Sequence, residues 1–237
     1  NTFVDEIYRE HFQGGNEIIR KKHLKVLLLD LYMAWCDDPD LKIAVHRNTN
    51  QYKARSRYNS LHISSITPTI VDRLVEVALI DFHNGFNDRR IGGRSRLSRI
   101  WPTEALLDKF QVARFGPLDI SHHDGKECIV LRDIDGETVE YKDTPKIRRM
   151  REHLKAYNDL LSQTYIDIPS LETNYIDLGI DTNGKPSRLF INQSDKFVRR
   201  NCNRGSWDKG GRFWGGWWQR CPKHWRRYDP DAGQPGI

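Results

Sequence analysis

TPTIVDRLVEVALIDFHNGFNDRRIGGRSRLSRIWP, residues 67–102, carries in one run a helix, a strand, a turn signal and a returning strand, and its reading decides the fold. Thr67 supplies an N-cap hydroxyl, and Pro68 sits where a missing N–H costs nothing in the first helical turn. The spacing of Ile70, Val71, Leu74, Val77 and Ala78 predicts one buried helix face, leaving Thr69, Asp72, Arg73 and Glu76 outside. Leu79 to His83 alternates as a strand, Asn84-Gly85 reads as a tight turn, and Arg96 to Ile100 reads as the return. From Phe86 to Ile100 the chain sets Arg89, Arg90, Arg94, Arg96 and Arg99 against Asp88 alone, so the hairpin is expected to end in a basic tip.

On the N-terminal side, Ile18, Ile19, Leu24, Leu27, Leu28, Leu31 and Trp35 recur in threes and fours and predict a core helix over 17–36, stopped by Asp37-Asp38-Pro39. The polar stretch from Arg47 to Asn59, with Lys53, Arg55 and Arg57, reads as a short helix or a loop. On the C-terminal side, Pro102-Thr103-Glu104 opens a helix through Phe110 that turns Leu106, Leu107 and Phe110 inward. Further on, Glu127–Arg132 and Thr138–Tyr141 flank Asp135-Gly136 as a second hairpin. A long amphipathic helix over 146–164 follows, with Ile147, Met150, Leu154, Tyr157, Leu160 and Leu161 as its apolar side. Pro169, Gly179, Asn183-Gly184 and Pro186 mark a polar linker, and Phe190-Ile191-Asn192 reads as a short strand.

The 237 residues hold 38 Lys and Arg against 32 Asp and Glu, a formal net charge of +6 that favours polyanionic partners. Apolar runs such as Val26-Leu27-Leu28-Leu29 fall far short of the roughly 20 residues needed to span a bilayer, so no membrane partner is expected. The opening residues Asn1-Thr2-Phe3-Val4-Asp5 do not read as a secretory leader, and the missing initiator methionine reads as a trimmed chain. Cys36, Cys128, Cys202 and Cys221 lie too far apart for a disulfide framework and read as reduced thiols of a cytoplasmic protein.

The C-terminal stretch Gly205 to Gln219, GSWDKGGRFWGGWWQ, is the most unusual in the chain. Its glycines permit close backbone approach, Arg212 suits phosphate, and Trp214 and Trp217 offer rings that stack on bases. The same aromatics equally suit a small core whose glycines make tight turns. Five of the seven tryptophans fall between 207 and 225, so whichever role holds is concentrated there. His122-His123-Asp124 reads as a polar turn. Cys202, Cys221 and His224 lack a fourth ligand for zinc and read as buried thiols with a neighbouring histidine. Asp229 and Asp231 sit in a Pro- and Gly-rich tail with no strand to hold them as catalytic carboxylates.

Residues 64–102 resemble the winged helix-turn-helix domains of replication initiators and regulators. The likeness rests on the capped helix, the Val-x-x-Ala-Leu-Ile string at 75–80, the Asn84-Gly85 turn and the basic wing. It implies that Thr69 and Arg73 meet a DNA groove while Arg89, Arg90, Arg94, Arg96 and Arg99 meet phosphate or the minor groove. Asp208-x-x-Gly211-Arg212-Phe213 resembles the Asp-x-x-Gly-Arg motif of single-subunit RNA polymerases and family A polymerases, implying template contact for Asp208, Gly211 and Arg212. Residues 197–219 also resemble a group of phage and plasmid proteins with a Gly-Gly-Arg-Phe-aromatic-Gly-Gly-Trp-Trp-Gln signature.

Together these readings give an α+β expectation. Residues 1–112 form a winged helix-turn-helix domain, 113–165 a hairpin plus long helix, and 166–187 a linker. Residues 188–237 form a small Arg/Trp/Gly-rich, polymerase-like segment that is expected to be truncated. The partners expected are DNA and, secondarily, RNA, in the replication or transcription of a mobile element. The alternatives are a non-catalytic initiator or regulator, and a protein-interaction module. No cofactor is expected in this chain; magnesium and nucleotidyl transfer belong to a longer parent.

Overall fold

The computed structural model describes residues 2–88, 94–120, 125–180, 184, 186–226, 228–229 and 234–235. Helices and strands are both well represented, an α+β composition. The chain divides into two compact units, 1–125 and 126–237, whereas the sequence put its divisions at 112 and at 166–187.

The first unit runs α1 (Thr2–His11), α2 (Glu17–Asp37), β1 (Ile43–Val45), α3 (Thr67–Glu76), β2 (Ile80–His83), β3 (Phe86–Asp88), β4 (Arg94–Arg96), β5 (Ser98–Pro102) and α4 (Glu104–Val112). Asn16 caps α2 by accepting from the Ile19 N–H at 3.1 Å. Its buried stripe begins at His23 and continues through Leu24, Leu27, Leu28 and Leu31, while Ile18 and Ile19, expected on that stripe, face solvent. Ile70, Val71 and Leu74 of α3 pack on these leucines with Ile80, Ile100, Leu106 and Phe110.

Thr67 does not cap α3. Its hydroxyl donates back to the Ser64 carbonyl at 3.0 Å, and the helix begins from Ile66 with Pro68 in its first turn. The helix closes where Ala78 takes a left-handed φ of 55° and Leu79 N–H reaches back to the Leu74 carbonyl. Thr103 ties the next helix to this corner, its hydroxyl donating to the Ala78 and Leu79 carbonyls at 2.7 and 3.0 Å.

β1, absent from the sequence reading because three residues carry too little pattern, forms the edge of an antiparallel sheet in the order β1-β5-β2. Ile43 pairs with Ile100, and Ile80 with Pro102. Asn84-Gly85 is not the hairpin turn. Both arms continue past it as β3 and β4, pairing Phe86 with Arg96 and Asp88 with Arg94. Glycine is needed at 85 for another reason: a Cβ there would lie 2.3 Å from the Arg96 carbonyl oxygen and 2.5 Å from the Ser98 nitrogen.

The second unit runs β6 (Ile129–Leu131), α5 (Pro145–Gln163), β7 (Tyr175–Ile180), β8 (Pro186–Phe190), β9 (Arg199–Cys202) and β10 (Gly210–Trp214). The expected second hairpin has its turn, where the Asp133 carboxylate accepts from the Asp135 and Glu137 N–H groups, but its return arm forms no regular strand: it makes the isolated Arg132–Thr138 bridge, and the Tyr141 hydroxyl donates to the Ile129 carbonyl. β6 instead pairs in parallel with β9, and β10 pairs antiparallel on the other side. The expected linker is structured: β7 and β8 form a hairpin whose Ile176 and Leu189 pack with Ile168 and Trp217.

Thr144 caps α5, accepting from the Ile147 N–H. The buried face is Ile147, Leu154, Asn158 and Leu161, so Tyr157 and Leu160, expected inside, lie one position off it and are exposed. Asn158 takes the core position because its amide clasps one residue of main chain. Nδ2 donates to the Val198 carbonyl at 2.9 Å and Oδ1 accepts from the Val198 N–H at 2.7 Å.

Candidate nucleic-acid interface

Two regions carry the candidate residues, one in each unit. In the first, β3 and β4 extend the arms of β2 and β5 as a two-stranded ribbon. Arg96 is exposed on β4, and Arg99 is half-buried in the central strand, paired with Ala44 on one side and His83 on the other. Arg89 and Arg90 lie outside the described residues, as do the side chain of Arg94 and the turn His122-His123-Asp124.

The polar side of α3 is more heavily paired than its sequence suggests. Arg73 donates through Nε to the His11 carbonyl at 2.7 Å and pairs through Nη1 with Glu76 at 2.7 Å, so its guanidinium joins the end of α1 to α3. Thr69 is exposed beside a groove of about 470 Å³ lined by His11, Arg20, Asp72 and Arg73. Asp72, which would repel phosphate on its own, is matched by Arg47, whose Nη2 lies 2.7 Å from its carboxylate and whose Nη1 donates to the Pro68 carbonyl. Arg47 also stacks 5.3 Å from the centre of the Phe82 ring. No motif in the sequence marks Arg47 for this role, and only the passage of the chain after β1 beside the start of α3 reveals it.

The loop ahead of α3 contains only a short turn of 3-10 helix at Thr49–Gln51 and is organised by Asn59. That side chain accepts from the Ile63 N–H and donates to the Ile63 and Lys53 carbonyls. His23 anchors the end of the loop. Its Nδ1 meets the Ile19 carbonyl at 2.7 Å, and its Nε2 accepts from the Ser64 N–H at 2.9 Å. Burial holds the imidazole below its ordinary pKa, which suits the neutral ring that this pair of bonds requires.

In the second unit, Gly211, Arg212 and Trp214 lie on the edge strand β10, with Asp208 just before it and Trp217 in the turn after it, and they play different parts. Asp208 is exposed and lies 3.4 Å from Lys146. Arg212 pairs across the sheet with Asn201 and Trp214 with Arg199, while Phe213, opposite Arg200, points to the other face. Trp214 is 54% exposed. Trp217 is 1% exposed and packed on Ile168, Ile176 and Leu189, so it builds the core and is not available to stack on a base. Its neighbour Gly216 takes a φ of 81°, and a Cβ there would lie 2.4 Å from the Trp218 ring.

Gly211 serves Arg200. A Cβ at 211 would lie 3.1 Å from Nη2 of that guanidinium, so the missing side chain leaves room for it. Gly215 lets the chain cross Phe197, where a Cβ would come within 2.2 Å of the carbonyl oxygen.

Cys128, Cys202 and Cys221 are buried cysteines and Cys36 is exposed. Among the described residues, no three or more His, Cys, Asp or Glu side chains gather as metal ligands, and Asp231 lies outside them. None of their helices is long and apolar enough to cross a membrane. Comparison of the chain with protein families, curated proteins and solved structures finds no match.

Proposed function

We propose that the first unit is a winged helix-turn-helix domain that binds duplex DNA, with the β3–β4 ribbon as its wing, in the replication or transcription of a mobile element. The observation that carries the reading is the order α2, β1, α3, β2, ribbon, β5 on a β1-β5-β2 sheet, with the densest run of arginine in that unit falling in the sequence between 89 and 99. In this arrangement a helix and a two-stranded ribbon project from one core, a spacing that suits a groove and the phosphates beside it.

The pairing on α3 assigns the work within the domain. With Arg73 held by His11 and Glu76, and Asp72 by Arg47, the helix offers Thr69 and a nearly neutral surface. Affinity therefore falls mainly to the ribbon, whose arginines displace condensed counterions from the duplex.

The test is fluorescence anisotropy of a labelled duplex titrated with the chain at several salt concentrations. Replacing Arg89, Arg90, Arg94 and Arg96 together by Ala is expected to weaken binding. It should also flatten the dependence of log affinity on log salt by about 0.9 for each phosphate that is no longer neutralised. Unchanged affinity and slope would remove the ribbon from the interface. Arg73→Ala should alter stability more than DNA affinity, because the side chain is committed within the fold.

A further inference from the structure

We propose that a groove in the second unit, between α5 and the β9–β10 strands, is a pocket for unstacked bases of single-stranded nucleic acid. This goes beyond the duplex reading of the first unit and does not depend on it.

The groove encloses about 440 Å³, within the range of small-ligand sites. Its walls are planar: Tyr157 and His153 from α5, Phe213 from β10, and Trp218 beyond it, with Met150 and Arg200 between them. Tyr157 is 46% exposed and Phe213 56% exposed, so large rings stand open to solvent where an ordinary fold would cover them. Phe213 and Arg200 are directly opposed across the strands, which places both on one face.

Arg200 supplies the polar handle. The residue lines the groove while its Nε is buried without a hydrogen-bond partner among the described residues, so the charge is held in the wall by the fold. Gly211 makes the space its guanidinium occupies.

Charge selects the occupant. Arg200 shares the groove face with Phe213, and Arg204 and Lys209 lie in the turn joining these strands, whereas Arg199 and Arg212 lie on the opposite face; Asp208, the one acid from 199 to 214, is faced by Lys146. Rings that stack on any base, a guanidinium in the wall and a basic turn at the end of the strands match a single strand. An acidic or purely aliphatic ligand would leave one of these unused. Duplex DNA keeps its bases stacked and cannot enter.

The experiment uses the full chain carrying Arg89→Ala, Arg90→Ala, Arg94→Ala and Arg96→Ala, so that the ribbon is silenced, and a labelled oligothymidylate of about twelve nucleotides. This background is expected to bind the oligonucleotide and to lose affinity as salt rises. Tyr157→Ala and Phe213→Ala should each weaken binding about fivefold to a hundredfold. Phe213→Tyr should preserve it and Phe213→Leu should not, which separates stacking from apolar contact. Both positions are half exposed, so the core remains, and an unchanged unfolding midpoint verifies each variant.

The pocket is refuted if the background fails to bind the oligonucleotide. It is equally refuted if Phe213→Leu binds as tightly as Phe213→Tyr, or if a duplex or free thymidine monophosphate competes as well as the strand. Duplex binding by the unmodified chain reads out the first unit separately, so the two proposals fail independently.

Discussion

Replacing Asn158 on α5 should destabilise the second unit well beyond what its size suggests. The side chain is buried and holds both polar groups of Val198, a residue that is itself buried, at 2.9 and 2.7 Å. Asn158→Ala removes both partners and leaves a buried N–H and a buried carbonyl unsatisfied, each at about 1–3 kcal/mol. The expected loss is their sum, about 2–6 kcal/mol, a large share of the roughly 5–15 kcal/mol that holds an ordinary domain. Asn158→Leu restores apolar volume without restoring either bond, so it should be destabilised to a similar extent.

Urea unfolding followed by tryptophan fluorescence is the appropriate assay, because five of the seven tryptophans belong to the second unit and dominate the signal. If both variants stay within about 0.5 kcal/mol of the parent, as surface substitutions do, Asn158 is not holding Val198. Recovery in Asn158→Leu alone would mean that volume, not hydrogen bonding, is what the position supplies. The consequence extends to the proposed pocket, since Val198 lines it and leads into β9.

Other expectations follow from single interactions. Burial lowers the His23 pKa, so the folded state resists protonation; the stabilisation is complete above about 6.5 and is lost as pH falls toward the folded-state value. Unfolding free energy measured across that window should therefore decline as pH falls, and a His23→Gln variant that declines equally would exclude this imidazole as the cause. Gly85→Ala forces a Cβ against the Arg96 carbonyl and should cost about 1–3 kcal/mol while weakening duplex binding, with calorimetry and anisotropy as the readouts. An unaltered melting temperature would mean that the arms separate without cost. With iodoacetamide on the native chain, mass spectrometry should find Cys36 modified first, because burial both covers Cys128 and pushes its thiol up to about 11. Equal rates at the two positions would show that the second core opens readily.

Much of the architecture is written locally. The leucine spacing of α2, the Pro68 in the first turn of α3 and the apolar run of α5 each mark a helix, because backbone geometry sets a period near 3.6 and the end residues limit where it starts. The run of arginine from 89 to 99 was equally legible, since charge density along the chain needs no partner to be counted. What the sequence could not decide was which side of an element meets another element. Trp214 and Trp217 are three residues apart in the same glycine-rich run, yet one is open and the other is core, according to which face of β10 and which turn after it meet the β7–β8 hairpin. Asn158 reads as a polar interruption until Val198 is brought against it, and Asp72 reads as a repulsive charge until Arg47, in the loop after β1, arrives beside it. The parallel pairing of β6 with β9 joins segments with no local signal for each other, and the antiparallel pairing of β9 with β10 creates the face on which Arg200 and Phe213 meet. Periodicity determined the elements of this protein; burial, pairing and the groove were decided only when distant segments met, because those properties belong to pairs of residues and not to residues singly.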